Sequence, residues 1–242
     1  MKPLDNFVSI RGVYARSVNL LRDGNDLGLL QAYLPTAKTL QTLEQFKSGF
    51  TKHPAERAYA LIGPYGSGKS AFALFLSSLL ATEESQARHI ASDKFKAIAP
   101  VTSAAFDKAV AGGSGFLRVS VNGTPDSLIR QLLLALADSM AQAGFDQSRV
   151  ATIKAAAVPS TPMDEVLAHL QATQDCWAKM GVQGCCLPLM SWVSSSNTSH
   201  TTHSTAKSIC CNFWRNMQGK AMMHPYMLLS CYIRRLNITP IG

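Results

Sequence analysis

At 242 residues with a formal net charge of +8, the chain is long enough for one α/β domain with a full hydrophobic core and does not need disulfides or structural metals to fold. No stretch approaches the roughly 20 apolar residues of a membrane span, and Asp5 close behind Lys2 leaves no apolar segment of a signal peptide, so a cytoplasmic protein without a membrane partner is expected. The charge excess would suggest a nucleic-acid or anionic-membrane partner, but its distribution along the chain matters more than its sum.

Residues 1–55 form an N-terminal segment with a β-like run at Phe7 to Ile10, helical periodicity from Leu40 to Phe50, and a basic stretch from Arg11 to Arg22. Scattered arginines of this kind usually form a solvated face, with a nucleic-acid site as the alternative. Tyr59 to Ile62 is a short apolar run that leads into a glycine-rich loop, and Ala71 to Leu80 follows with good helix formers, which predicts strand, loop, helix.

The loop reads Gly63, Pro64, Tyr65, Gly66, Ser67, Gly68, Lys69, Ser70, which is G-x-x-x-x-G-K-[ST], the phosphate-binding pattern. Its glycines allow the backbone to curl with N–H groups turned inward, ahead of a helix whose positive end faces an anion. Lys69 is expected to reach the β- and γ-phosphates, and the Ser70 hydroxyl to coordinate Mg²⁺. All eight residues are therefore candidates for binding ATP, with Ser70 the candidate metal ligand. No Asn-Lys-x-Asp guanine signature is present, so ATP is the default base.

Helical patterns follow over Glu83 to Ile98 and Ala104 to Val110, the latter ending at Gly112 and Gly113. Phe116 to Val121 reads as a buried strand with a turn at Asn122-Gly123. Thr124-Pro125-Asp126 signals a helix start, with a helix running to Ala143. Gln147 to Ala157 is a further helix, and Thr161-Pro162 opens another that reaches Gln174. Alternation of this kind predicts an α/β fold with a mostly parallel sheet, incomplete in this chain.

Hydrolysis also needs an acid at the end of a neighbouring hydrophobic strand to hold Mg²⁺. Phe116 to Val121 ends in Asn122 instead, so the catalytic residues are unknown and the chain is expected to lack hydrolytic competence.

Near Asp175 the composition changes. All 15 acidic residues lie at or before it, while all six cysteines and all three tryptophans lie beyond it. The 64 residues from Lys179 to Gly242 contain six Lys or Arg and no acid, against 17 basic residues before them. A reading frame displaced by one base explains the change. In that frame each codon takes the last base of one visible codon and the first two of the next.

Gly184 to Met190 then allows Val-Leu-Leu-Ala-Ile-Asp, with Leu forced at Cys185/Cys186. Met190/Ser191 allows Glu, Leu is then compulsory, and Trp192/Val193 encodes only Gly. The concealed run, VLLAIDELGKFLEYE, is a strand ending in two acids. Ile209 to Gln218 likewise conceals a leucine-rich helix, and Met222 to Ser230 conceals Asp-Ala-Pro-Leu-Tyr-Val-Val-Val. Residues 178–242 are therefore expected to be an out-of-frame, irregular and non-native tail behind a partial ATPase domain at 56–177. The adjacent pairs Cys185-Cys186 and Cys210-Cys211, with His200 and His203, do not have the spacing of zinc ligands.

GPYGSGKS, the helix behind it and the concealed acidic strand together resemble large bacterial P-loop ATPases of the AAA/STAND-like kind, some of them associated with anti-phage defence. The resemblance covers residues 1 to 177 in frame. It implies ATP and Mg²⁺ as cofactors, ATP hydrolysis in the intact family, and protein partners or DNA through the family's process. Only Gly63, Gly66, Gly68, Lys69 and Ser70 carry the family's functional positions here. Two other classes remain open. A small-molecule kinase could use the same loop with Gly112 to Gly115 as part of a lid, although no arginine cluster accompanies it. A nucleic-acid-binding module could use Arg11 to Arg22.

Overall fold

The computed structural model describes residues 18–51, 58–63, 66–82, 85–110, 115–122, 126–179, 184–191 and 227–233. Three helices come first: α1 (Leu20–Asp23), α2 (Leu27–Ala32) and α3 (Ala37–Thr51). Strand β1 (Ala58–Gly63) leads to α4 (Lys69–Leu79), and α5 (Gln86–Ile98) and α6 (Pro100–Val110) follow. Next come β2 (Phe116–Arg118), β3 (Val121–Asn122), α7 (Leu128–Gln142), α8 (Gln147–Ala155) and α9 (Met163–Lys179). The last described elements are β4 (Gly184–Ser191) and β5 (Met227–Ile233).

This architecture corrects the expected fold class. Of the residues whose side chains are described, 71% are helical and 4% lie in strands. What is described is thus a mostly helical molecule, and an α/β P-loop NTPase fold organised by a mostly parallel sheet does not describe it. The reason lies in the described side chains of the interior, which are packed helix on helix, with extended chain among them contributing around residues 116–121 and at Leu61. In β4 and β5 only the backbone is described. It pairs in parallel, in the order β1-β5-β4-β2 with β3 also on β4, so strands occur within the segment expected to be irregular.

Among the described residues the buried side chains form two clusters. One gathers Leu29, Leu43, Phe46, Phe75, Phe95 and Phe106 from α2 to α6. The other gathers Leu133, Leu136 and Met140 of α7 with Ile153 of α8 and Leu170 of α9. Alternation along an extended chain separates them: Phe116 joins the first cluster, while Leu117, Val119 and Val121 join the second.

Helix α4 is the most deeply set element of the first cluster, buried without a break from Phe72 to Leu79. An all-round apolar helix of this kind belongs in an interior. Its two buried hydroxyls, Ser77 and Ser78, both donate to the Leu74 carbonyl, at 2.9 and 2.8 Å, so neither is buried without a partner. The chain leaving it is fixed by Arg88, which donates to the Ala81 carbonyl at 2.8 Å, and by the Phe116 amide, which donates to the Leu80 carbonyl at 2.7 Å.

Some helix starts differ from the sequence expectation. The cap of α7 is Ser127, whose hydroxyl accepts from the Arg130 amide at 3.4 Å, and not Thr124. Asp126 accepts from the Ser127 amide at 2.7 Å and pairs with Arg130 across one turn at 2.5 Å. Helices α1 and α2 were not anticipated. Their sequence signal is the pair of capping side chains Asn19 and Asp26, which accept from Leu21 and Arg22 and from Gly28 and Leu29 respectively.

Candidate phosphate-binding loop

The glycine-rich segment connects the end of β1 to the start of α4. Gly63 is the last residue of the strand, and Lys69 and Ser70 are the first two of the helix. Gly66, Ser67 and Gly68 form the exposed turn between them, and Pro64 and Tyr65 lie outside the described residues. The strand, loop and helix context that the motif requires is therefore in place.

Gly66 and Gly68 have φ of 76° and 79°, the left-handed region that costs a residue with a Cβ roughly 1–2 kcal/mol. A Cβ built on either would meet nothing within 4 Å. The backbone itself, and not crowding by neighbours, therefore favours glycine at both positions.

Gly68 is the N-cap of α4, with ψ of 10° and no side chain to cap the helix. Its carbonyl accepts the Phe72 amide at 2.8 Å, the first intrahelical bond, so the amides of Lys69, Ser70 and Ala71 precede the hydrogen-bonded ladder. The first turn contains no acidic side chain, which leaves the positive end of the helix dipole unneutralised by its own sequence. Lys69 is half-buried, and its ammonium donates to the Ser67 hydroxyl at 3.0 Å, so the cation lies back over the loop.

The donors present suit a polyphosphate: amides at a helix N-terminus, an ammonium and two hydroxyls. Ser70, the expected Mg²⁺ ligand, is the second residue of α4, and among the described residues no group of three or more His, Cys, Asp or Glu is placed to hold a metal ion.

Other positions singled out in the sequence play different parts. Gly115, read as part of a flexible lid, has φ of 95°, and a Cβ there would lie 2.4 Å from the Ala81 carbonyl oxygen. It is a packing glycine where the chain passes the end of α4, and Gly112 and Gly113 lie outside the described residues.

Arg22, from the basic stretch, binds the buried carboxylate of Asp23 at 2.8 Å, and the Asn19 amide donates to the same group at 2.8 Å. Its charge is thus opposed locally. Arg11 and Arg16 lie outside the described residues, as do the side chains of the cysteines from Cys185 onward and both histidines His200 and His203.

Arg118 was not anticipated by sequence reasoning. Its guanidinium reaches from β2 to the Gly24 carbonyl and the Asn25 side chain, fastening the α1–α2 turn to the strand. A groove of about 270 Å³ between α7, α8 and α9, lined by Met140, Arg149, Ile153 and His169 among others, includes none of the loop residues. No helix of the described residues is long and apolar enough to cross a membrane.

No family model, curated protein or solved structure matches the chain.

Proposed function

We propose that the chain binds a nucleoside triphosphate, ATP by default, with its phosphates in the loop from Gly63 to Ser70 and Mg²⁺ against the Ser70 hydroxyl. The observation that carries this reading is a helix N-terminus whose cap is a left-handed glycine, followed at once by Lys69 and Ser70. Backbone amides supply most of the grip, Lys69 adds a mobile charge, and the aligned peptides of α4 favour the anion. Glycine at 66 and 68 lets the backbone take the left-handed turn that precedes α4.

Hydrolysis is no part of this proposal. Transfer or cleavage of the γ-phosphate needs a carboxylate to hold the metal and a group to orient the nucleophile. Among the described residues no group of three or more His, Cys, Asp or Glu is placed to hold a metal ion, and Phe116 to Val121 runs into Asn122 instead of an acid. The function is binding, in a chain resembling the AAA/STAND-like ATPases, with protein partners or DNA as that resemblance implies.

The test is a titration of the chain with a fluorescent ATP analogue and Mg²⁺, alongside Lys69→Ala. Saturable binding that Lys69→Ala reduces at least tenfold, about 1.4 kcal/mol, is expected, with AMP failing to compete. Equal affinity in both proteins would remove the assignment.

A further inference from the structure

The groove between α7, α8 and α9 has no part in the nucleotide reading, and its walls are residues one helical turn apart. Helix α8 contributes Arg149 and Ile153, and α9 contributes His169 and Thr173, so each helix turns a single face to it. Of its apolar lining, Ile153 and Met140 of α7 are buried.

The two hydroxyls that line it are already committed. Thr152 donates to the Ser148 carbonyl at 2.9 Å. Thr173, which is buried, donates to the His169 carbonyl at 2.7 Å, with Met140 Sδ 3.6 Å away. Neither hydroxyl has a second proton to offer an occupant, so with Met140, Ile153 and Ala172 they make a wall suited to apolar groups.

Charge enters at one point. No acid lines the groove, and Arg149 is the lining group that is charged at every ordinary pH. Acids on adjoining turns are matched elsewhere. Asp138 pairs with Lys154 at 3.0 Å, and Asp146 accepts from the Ser148 hydroxyl and from the amides of Ser148 and Arg149. Glu165 lies 3.7 Å from His169 Nε2, beyond hydrogen-bond distance.

The groove's volume is about 270 Å³, just under the roughly 300 Å³ at which pockets for drug-sized ligands begin, so an occupant must be small. We propose that this groove binds a small organic carboxylate, with its head on the Arg149 guanidinium and a short aliphatic body along Met140, Ile153 and Ala172. The planar fork of arginine suits both oxygens of a carboxylate at once. Arg149 is exposed, so the head keeps part of its hydration while the body leaves water. None of the glycine-rich loop lines this site, and the proposal stands or falls without the nucleotide reading.

Hexanoate is the probe, with hexanamide as its uncharged counterpart, each titrated into the full chain and followed by amide NMR shifts. Saturable shifts at residues 149–153 and 169–173 are expected with hexanoate. Replacing hexanoate by hexanamide, or Arg149 by alanine, should weaken binding about fivefold, the upper end for an exposed ion pair. Ala172→Phe, at an exposed position, should fill the groove and abolish binding of both compounds. Equal affinity for the two compounds overturns the proposal, and that comparison needs no variant. Unchanged affinity in Arg149→Ala or Ala172→Phe, a lack of saturation, or shifts confined to residues 66–71 would overturn it too. Thermal melts matching the unaltered chain are expected for both variants and separate loss of the site from loss of the fold.

Discussion

At the level of single residues, a glycine in an open turn differs from a glycine pressed against the main chain. Gly68 and Gly115 both have positive φ, but a Cβ on Gly68 meets open space while one on Gly115 lands 2.4 Å from a backbone oxygen. Gly68→Ala is expected to cost about 1 kcal/mol of stability through its backbone alone, and to weaken ATP binding more than that figure would suggest. Gly115→Ala should cost at least twice as much stability, about 2 kcal/mol or more, because Ala81 is main chain and cannot swing aside. Urea denaturation of both variants separates the two cases. Equal destabilisation would show that the close approach at Gly115 is not what holds that turn.

At the level of elements, carboxylates on different helices respond to acid in opposite directions. The Ser127 amide, followed by Arg130, holds the Asp126 carboxyl below its ordinary value. Ser148 does the same for Asp146 at the start of α8, and Lys47 for Glu44 in α3. Folded values that are depressed contribute stability above the unfolded pKa of about 4, and that stability is lost as pH falls through the folded values. Acidification should therefore fray α7 and α8 from their N-termini, which amide exchange at residues 128–131 and 148–150 would detect.

Asp107 in α6 works the other way. Burial raises its pKa against the opposing pull of Arg88 and Lys96, so just above the unfolded value the folded chain binds this proton more tightly than the unfolded chain does. Its contribution declines as pH rises past about 4. Asp107→Asn should add a few tenths of a kcal/mol at neutral pH, a small gain because solvent screens this half-exposed site, and the gain should vanish in acid. Thermal melts at pH 7 and pH 3.5 would show the difference.

How much of this was legible in the sequence depended on how local the signal was. The segment from Tyr59 to Leu80 could be read because an apolar run, three glycines and a helix-forming stretch fall in contiguous order. Helices α5 to α9 followed from periodicity and punctuation. The start of α7 was misplaced because Thr124 and Ser127 are both hydroxyl residues near the right position, and Ser127 is the one whose side chain accepts an amide of the first turn. Helices α1 and α2, of four and six residues, are too short for periodicity and depend on packing against α4 and α5. The predominance of helix over sheet was not legible, since alternation of patterns says nothing about which elements fill the interior. Arg118 was missed for the same reason: its partners at Gly24 and Asn25 are more than ninety residues away in sequence.

At the level of the molecule, two helical clusters meet across the extended chain at residues 116–121, and the loop is mounted on the helix that the first cluster buries most completely. Stability of the loop should therefore follow the first cluster. Phe75 is fully buried there and stacks with Tyr33 at a ring separation of 4.8 Å. Phe75→Ala should cost about 3–5 kcal/mol and should loosen α4 together with the loop. Leu136→Ala, in the second cluster, should cost about 2–5 kcal/mol while leaving nucleotide affinity in the remaining folded protein unchanged. Denaturation paired with ATP titration at low temperature would tell the two apart, and equal loss of affinity in both would mean that the clusters are not separable.

The most direct measurement is amide hydrogen exchange across residues 66–72, with and without saturating ATP and Mg²⁺. Bound ATP should slow exchange at Lys69, Ser70 and Ala71, with no slowing by AMP and no slowing in Lys69→Ala. Unaltered exchange at those three amides, in a chain whose α4 is otherwise protected, would contradict nucleotide binding at this loop.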